Sequence, residues 1–491
     1  MAKASVLKKL IAAIVCTVLI GTTTWSSDNV DWFSARGEKN EYLELPDIGG
    51  QVGLISRQQE RQIGEKVLRQ VRAQLPEMND AWLQDEVYKL FASIYTQTSL
   101  GKPIALVLVR DAQINAFAVP GGLFAINAGT ITSARNIDEI AGVMAHEIAH
   151  VTQRHYSRSR ESFKGQGLLS LAGLLAGIAV ATQSPDAGAA VMLGSQAMLM
   201  DKQLSYSRNQ EREADRVGMQ YMSIAGYNPE SMADFFETMQ RATVRLSYMP
   251  DFWLTHPLTS ERMSEARLRA RQYPVKLQDN TTRQQQFELI RWRAAVLGGY
   301  AQLNQLQALA TRNSAAGLAL VTYYLEQGKL NEAEQALAKI EPNALQKNLY
   351  TLIKTDLAIA QQRYDEAQAT ILPLYRIAPE NRATQLKLAQ VYILNKKTND
   401  AQLILNALAK NNPTDVQVWQ LLQQAESVSD SPLREINVLR YRAEVQFWRG
   451  AEEDAIRSLL HAQRLVQNNP SLKAKVEQRL QAMQEARQFK I

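Results

Sequence analysis

Ala333, Ala367 and Ala401 stand 34 residues apart, each directly after an acidic residue, and Pro379 and Pro413 repeat the same step. A fixed period of this length means one supersecondary unit used again and again, and such units bury their apolar faces only by stacking on their neighbours. The small alanine suits the point where two helices cross, and the proline closes the pair. Residues 310–491 are therefore expected to be helical throughout. A further unit, carrying Gly450, Ala455 and Pro470, is offset from the period by an insertion near 427–432.

The period, the alanine and the closing proline match tetratricopeptide repeats, whose superhelices bind partners in a concave groove. Tyr350, Trp419, Phe447 and Trp448 are candidate contacts there, with repeat packing as the competing reading. Upstream the periodicity differs. A charged amphipathic helix pattern runs from Ser56 through Ile63, Val67 and Val71 to Leu75, and a second covers roughly 81–97. The pattern then changes to strands: 104–109 is β-type, and two short runs flank the turn signal Pro120-Gly121-Gly122. The expected fold class is mainly α, an α+β domain with a small sheet followed by an all-α superhelix.

Within the α+β part lies His146-Glu147-Ile148-Ala149-His150, an H-E-x-x-H in an apolar, alanine-rich run, with Asp138 and Glu139 opening its helix as the dipole prefers. On a helix, His146 and His150 project from nearly one face and can hold a single tetrahedral ion, while Glu147 beside them is placed to act as a base. A catalytic zinc site needs a third protein ligand. Gln153 and Tyr156 exclude a third histidine at metzincin spacing, and His155, about 140° round a continued helix from His150, reads as a surface residue. The remaining option is a carboxylate on a later helix. Glu211 and Asp215 share a face, so Glu211 can ligate and Asp215 can accept the spare N–H of a ligand histidine, while Glu213 points the other way. The alternative is an exposed, ion-paired helix.

The chain opens with Lys3, Lys8 and Lys9, an apolar run over 10–21 and small polar residues to Ser27, the pattern of a cleaved secretory leader over 1–26. The apolar run is too short to span a bilayer. The only cysteine, Cys16, lies inside it, so the exported chain has neither disulfides nor a thiolate ligand. Removing three lysines and no acids lowers the net charge from +6 to +3, too mild to argue for nucleic acid. Residues 27–55 read as an irregular lead-in. Residues 168–200 hold two Gly/Ala-rich apolar stretches split at 183–186, readable as a packed hairpin, a lid or an element in peripheral contact with a membrane.

The H-E-x-x-H, the E-x-x-A-D from Glu211 to Asp215 and the later His256-Pro257 resemble the HtpX-type zinc metallopeptidases. The segment from Asn115 to Gly122 resembles that family's substrate-binding edge strand, with Asn115, Ala116, Phe117 and Ala118 as its contacts. A leader, a peptidase over 56–285 and repeats over 286–491 are together similar to periplasmic members of the family. The resemblance implies one Zn2+ per chain, held by His146, His150 and Glu211, with Glu147 as general base and Asp215 behind the ligands. His256 would either stabilise the oxyanion or fill the fourth metal position and switch the enzyme off, and Arg262 reads as structural. It also implies partners: unfolded or misassembled outer-membrane proteins, the β-barrel assembly machinery and the barrel of the lipopolysaccharide-transport translocon.

Overall fold

Ser56 opens the first helix with a capping box: its hydroxyl accepts the Gln59 N–H, and the Gln59 side chain accepts the Ser56 N–H. The helix, α1 (Arg57–Gln74), buries Ile63, Val67, Leu68 and Val71, the stripe expected from their spacing. This computed structural model describes residues 55–162, 208–246, 252, 256–273, 280–466 and 468–490. The leader, the lead-in up to residue 54 and the apolar stretches of 168–200 lie outside the described residues. Helix α2 (Ala81–Tyr95) is capped by Asp80, which accepts the Leu83 N–H at 2.7 Å.

Three strands follow: β1 (Ala105–Val109), β2 (Ala116–Val119) and β3 (Leu123–Asn127), in the order β1-β3-β2. The central β3 runs parallel to β1, pairing Ala105 with Leu123, and antiparallel to β2, pairing Ala116 with Ile126. Gly121 and Gly122 make the β2–β3 turn at φ 85° and 88°, a region that glycine enters without steric cost. Side-chain alternation gives the sheet two buried faces. Leu108, Ala116, Phe124 and Ile126 join the core around α2, whereas Val107, Val109, Phe117, Val119 and Leu123 join a second core with α1 and the last repeats.

After α3 (Ala128–Ser133), α4 (Ile137–Thr152) begins at an Asn136 cap and carries the H-E-x-x-H through the centre of the first core. The chain continues through α5 (His155–Ser162), α6 (Arg208–Ile224), α7 (Glu230–Leu246) and α8 (Ser260–Ala270). Helices α6 and α7 both pack along α4.

The remaining chain is helical: α9 (Asn280–Gly298), α10 (Leu303–Leu309), α11 (Ser314–Glu326), α12 (Leu330–Leu337), α13 (Lys347–Ala360), α14 (Tyr364–Ile377), α15 (Arg382–Leu394) and α16 (Thr398–Asn411). It closes with α17 (Val416–Ser427), α18 (Arg434–Trp448), α19 (Glu452–Leu465) and α20 (Pro470–Gln488). The alanines of the 34-residue step, Ala333, Ala367 and Ala401, are fully buried, as is Ala455. Helix α9 runs across the junction between residues 285 and 286, and the first core continues through it into α11 and α13.

Polar contacts tie the array to the N-terminal part at its middle and near its C-terminal end. Asp85 of α2 accepts the Ala383 N–H at the start of α15 at 3.0 Å and meets Arg382 at 3.2 Å. Lys66 and Arg69 of α1 both reach Glu452 of α19, and the Arg69 guanidinium lies 4.5 Å from the Phe447 ring centroid. Phe447 and Trp448 are buried in this contact, so of the four candidate partner aromatics these two serve packing. Tyr350 and Trp419 are half-buried against the cores. Among the described residues no helix is long and apolar enough to cross a membrane.

Candidate metal centre

One turn of α4 separates His146 from His150, and one turn of α6 separates Glu211 from Asp215, so each helix offers a pair from a single face. The crossing of these helices brings the pairs together, and His256, just ahead of α8, closes the cluster. All five side chains are buried, so α6 is not the exposed, ion-paired helix of the alternative reading. His146 Nε2 lies 3.0 Å from His150 Nε2 and 3.3 Å from His256 Nδ1. Glu211 Oε1 is 3.1 Å from His256 Nδ1 and 3.5 Å from His150 Nε2, and its Oε2 is 3.5 Å from His146 Nε2.

These separations test the fit of a cation. A tetrahedral ion bound at 2.0–2.1 Å sets its ligand atoms about 3.3 Å apart. One atom from each of His146, His150, Glu211 and His256 lies within 4.8 Å of every other. Three imidazoles turning ring nitrogens toward one carboxylate in a buried space is a donor set that a divalent metal satisfies. The residues fit.

The electrostatics follow from burial and from Arg262. Its guanidinium grips Asp215 with Nε at 2.7 Å and Nη2 at 2.8 Å, and its Nη1 is 2.6 Å from Glu211 Oε2. Arg262 thus reaches a candidate ligand as well as its support, a contact that the sequence reading of a structural arginine did not contain. Burial opposes the charge on Glu211, but Arg262 and His256 outweigh it and hold the carboxyl well below the usual range. Asp215 is lowered too, by Arg262 against burial. His146 Nδ1 is 3.0 Å from Asp215 Oδ1. Burial works against a charge on His146, yet hydrogen bonds to Asp215 and Glu211 raise it to about 9 when no metal competes.

Glu147 is buried beside the cluster, its Oε1 3.4 Å from His256 Nε2. Burial raises its proton affinity, partly offset by His256 and His146. The Ala118 N–H of β2 faces its carboxylate and opposes that rise, which sets β2 alongside the base. Asn115 lies just ahead of β2, its C=O accepting from Asn127 N–H and Thr130 Oγ1. Alternation along an antiparallel strand then points the backbone groups of Asn115, Phe117 and Val119 toward β3 and those of Ala116 and Ala118 away from it.

Two residues stand where sequence reasoning did not put them. His155 is fully buried, not on the surface, with Nδ1 2.9 Å from His150 Nδ1 and Nε2 3.1 Å from Glu213 Oε2. A 140° offset from His150 holds only on a continued helix, but α4 ends at Thr152, and Arg154 turns the chain at φ 51°. Phe252 stacks on His256 with ring centroids 4.5 Å apart. No local pattern marks Phe252.

Residues 77–270 match Peptidase family M48, and residues 358–425 match a tetratricopeptide repeat. The beta-barrel assembly-enhancing protease of Escherichia coli (strain K12) is 30% identical across 97% of this chain and 96% of its own length. A putative beta-barrel assembly-enhancing protease of Vibrio cholerae is also 30% identical, over 90% of this chain and 92% of the relative. The mitochondrial metalloendopeptidase OMA1 of Schizosaccharomyces pombe is 29% identical over 32% of this chain and 44% of the relative. The repeats thus accompany a likeness that spans both parts of the chain, while the mitochondrial relative shares a shorter stretch. With its buried His/Glu cluster, M48 segment and near full-length identity, the chain belongs to the beta-barrel assembly-enhancing protease family and is a metallopeptidase followed by tetratricopeptide repeats.

Proposed function

We propose that the chain is a periplasmic zinc metalloendopeptidase, exported by residues 1–26, that promotes assembly of outer-membrane β-barrels and degrades those that misassemble. The observation that carries the hydrolytic part is the ion-sized gathering of His146, His150, Glu211 and His256 with Glu147 beside it. Imidazole and carboxylate donors in near-tetrahedral spacing suit zinc. When bound, zinc supplies Lewis-acid chemistry, polarising the scissile carbonyl and making the attacking water acidic near neutral pH.

His146, His150 and Glu211 are the ligands in this proposal. Asp215 orients His146, and Glu147 takes a proton from the attacking water and returns it to the leaving amine. Its burial suits this work, because a base with a raised proton affinity is matched to operation near neutrality. Ala116 and Ala118 turn backbone groups away from β3, and an extended substrate pairs there through main-chain hydrogen bonds, which read little sequence. Glu147→Gln should leave zinc binding intact and abolish cleavage of an unfolded barrel protein. Cleavage at the wild-type rate would refute the mechanism.

His256 is the restraint in this proposal. Its Nδ1 lies 3.3 Å from His146 Nε2 and 3.1 Å from Glu211 Oε1, close enough to serve as a fourth donor in place of water. His256→Ala should therefore increase proteolysis, and unchanged or abolished cleavage would remove the switch.

The assembly role rests on the names of the full-length relatives and on a repeat array packed against the peptidase. In it, repeats over 286–491 engage outer-membrane proteins, the β-barrel assembly machinery and the translocon barrel, while residues 56–285 cut. A second reading makes the chain mainly a scaffold. Cells carrying Glu147→Gln decide between them: barrel assembly restored as fully as by the wild type favours the scaffold.

A further inference from the structure

We propose that His155 and Glu213 form a relay that fixes the tautomer of His150 and so positions it as a metal ligand, an inference that rests on the metallopeptidase reading of the site. His150 Nε2 lies 3.0 Å from His146 Nε2 and 3.5 Å from Glu211 Oε1, so this nitrogen is turned toward the other donors. A neutral imidazole that offers one lone pair to a cation carries its proton on the other nitrogen. His150 Nδ1 must therefore be a donor.

The atom facing it is His155 Nδ1, at 2.9 Å. Two ring nitrogens at that separation share one proton, so His155 Nδ1 accepts and the proton of His155 lies on Nε2. That nitrogen is 3.1 Å from Glu213 Oε2, and a carboxylate only accepts. Arg158 Nη1 lies 2.9 Å from the same oxygen and favours the ionised form. The chain of bonds is consistent in one direction: His150 Nδ1–H to His155 Nδ1, then His155 Nε2–H to Glu213. Reversing it would aim an N–H of His150 at the ligand cluster.

The backbone holds the relay in place. Arg154, a non-glycine residue at φ 51°, makes the turn that returns His155 against α4. Its guanidinium bonds Glu60 at 2.9 Å and the Ile55 carbonyl at 2.8 Å, and Ser157 Oγ donates to the same Glu60 at 3.0 Å. A non-glycine residue in that conformation persists when its surroundings over-determine it. The two ligand histidines are then supported alike. His146 meets Asp215 directly at 3.0 Å, while His150 reaches a carboxylate through an intervening imidazole.

A competing account makes His155 a buried histidine satisfied by Glu213, with no bearing on the metal. Zinc affinity of the full-length exported chain, measured by competition with a chromophoric chelator beside thermal unfolding of the metal-free protein, separates the two. His155→Ala removes the acceptor and should weaken zinc binding by about 10–100-fold. His155→Asn places a carbonyl oxygen where Nδ1 was, and should bind zinc within about threefold of the wild type. Glu213→Ala leaves His155 free to adopt the other tautomer and should fall between them. A packing role predicts that alanine and asparagine behave alike, since both lose the ring and its bond to Glu213. Wild-type affinity in a folded His155→Ala protein overturns the relay, and so does asparagine as weak as alanine. If the alanine variant does not fold, His155→Asn and Glu213→Ala decide: the relay requires the asparagine variant to bind zinc more tightly. A wild-type protein that binds no zinc overturns the metal reading itself, and the relay with it.

Discussion

Replacing Gly218 by alanine sets helix propensity against packing. Gly218 lies inside α6, seven residues and therefore two turns from Glu211, on the side that crosses α4. By propensity alone, alanine in a helix interior should stabilise the protein by about 1 kcal/mol. The structure opposes this. A Cβ at 218 would stand 3.1 Å from both the carbonyl carbon and the oxygen of Ala145 and 3.0 Å from Met232 Cε. The Met232 methyl can swing aside, but the Ala145 backbone, in the turn carrying His146 and Glu147, has no such freedom. Relief requires α6 to withdraw from α4 by a few tenths of an ångström, and overpacking of this kind costs about 1–3 kcal/mol. The net expectation is a loss of up to about 2 kcal/mol once the propensity gain is subtracted. Withdrawal also carries Glu211 and Asp215 away from His146, so zinc binding should weaken in parallel. Denaturant unfolding and chelator competition on Gly218→Ala read the two effects. A variant more stable by about 1 kcal/mol with unchanged zinc affinity would show that the helix crossing does not set the ligand geometry.

Arg262→Met removes the cation shared by Glu211 and Asp215 and leaves two buried carboxylates facing each other. Metal-free protein should lose about 3–5 kcal/mol in equilibrium unfolding, and an unchanged midpoint would mean that the pair is solvated. Asp85, beside Arg382 and the Ala383 N–H, is pushed up to about 6 because burial outweighs both partners. A carboxyl bound to its proton more tightly in the folded state adds stability below the unfolded value of 3.8, and loses it as pH rises through about 6. Stability should therefore decline between those limits in the wild type and less steeply in Asp85→Asn, as followed by thermal unfolding across pH.

Much was legible in the sequence because it depends on local periodicity. The i, i+4 spacing of His146 and His150 places two imidazoles on one helix face whatever surrounds them, and the same holds for Glu211 with Asp215. The 34-residue step fixed the buried positions of Ala333, Ala367 and Ala401 through the geometry of stacked helix pairs. The β-type runs over 104–109 and 123–127 were legible as strands, and they pair in one sheet.

Tertiary structure alone decided the rest. His155 was assigned to the surface by continuing the turn of α4, but that helix stops at Thr152 and the chain folds back through Arg154, so a residue five positions after a ligand ends directly behind it. Glu213, on the side of α6 away from Glu211, gained its meaning from His155 and Arg158, which meet its carboxylate. His256, to which the family resemblance but no spacing had pointed, and Arg262 belong to the site through contacts spanning 110 and 47 residues, which no periodicity can encode. Phe447 and Trp448 were consumed by docking onto α1, a choice made by the shape of the whole array. Spacing along a regular element survives any tertiary context, whereas a chain reversal or a helix crossing depends on what packs around it, and that is where this centre acquires its second row of residues.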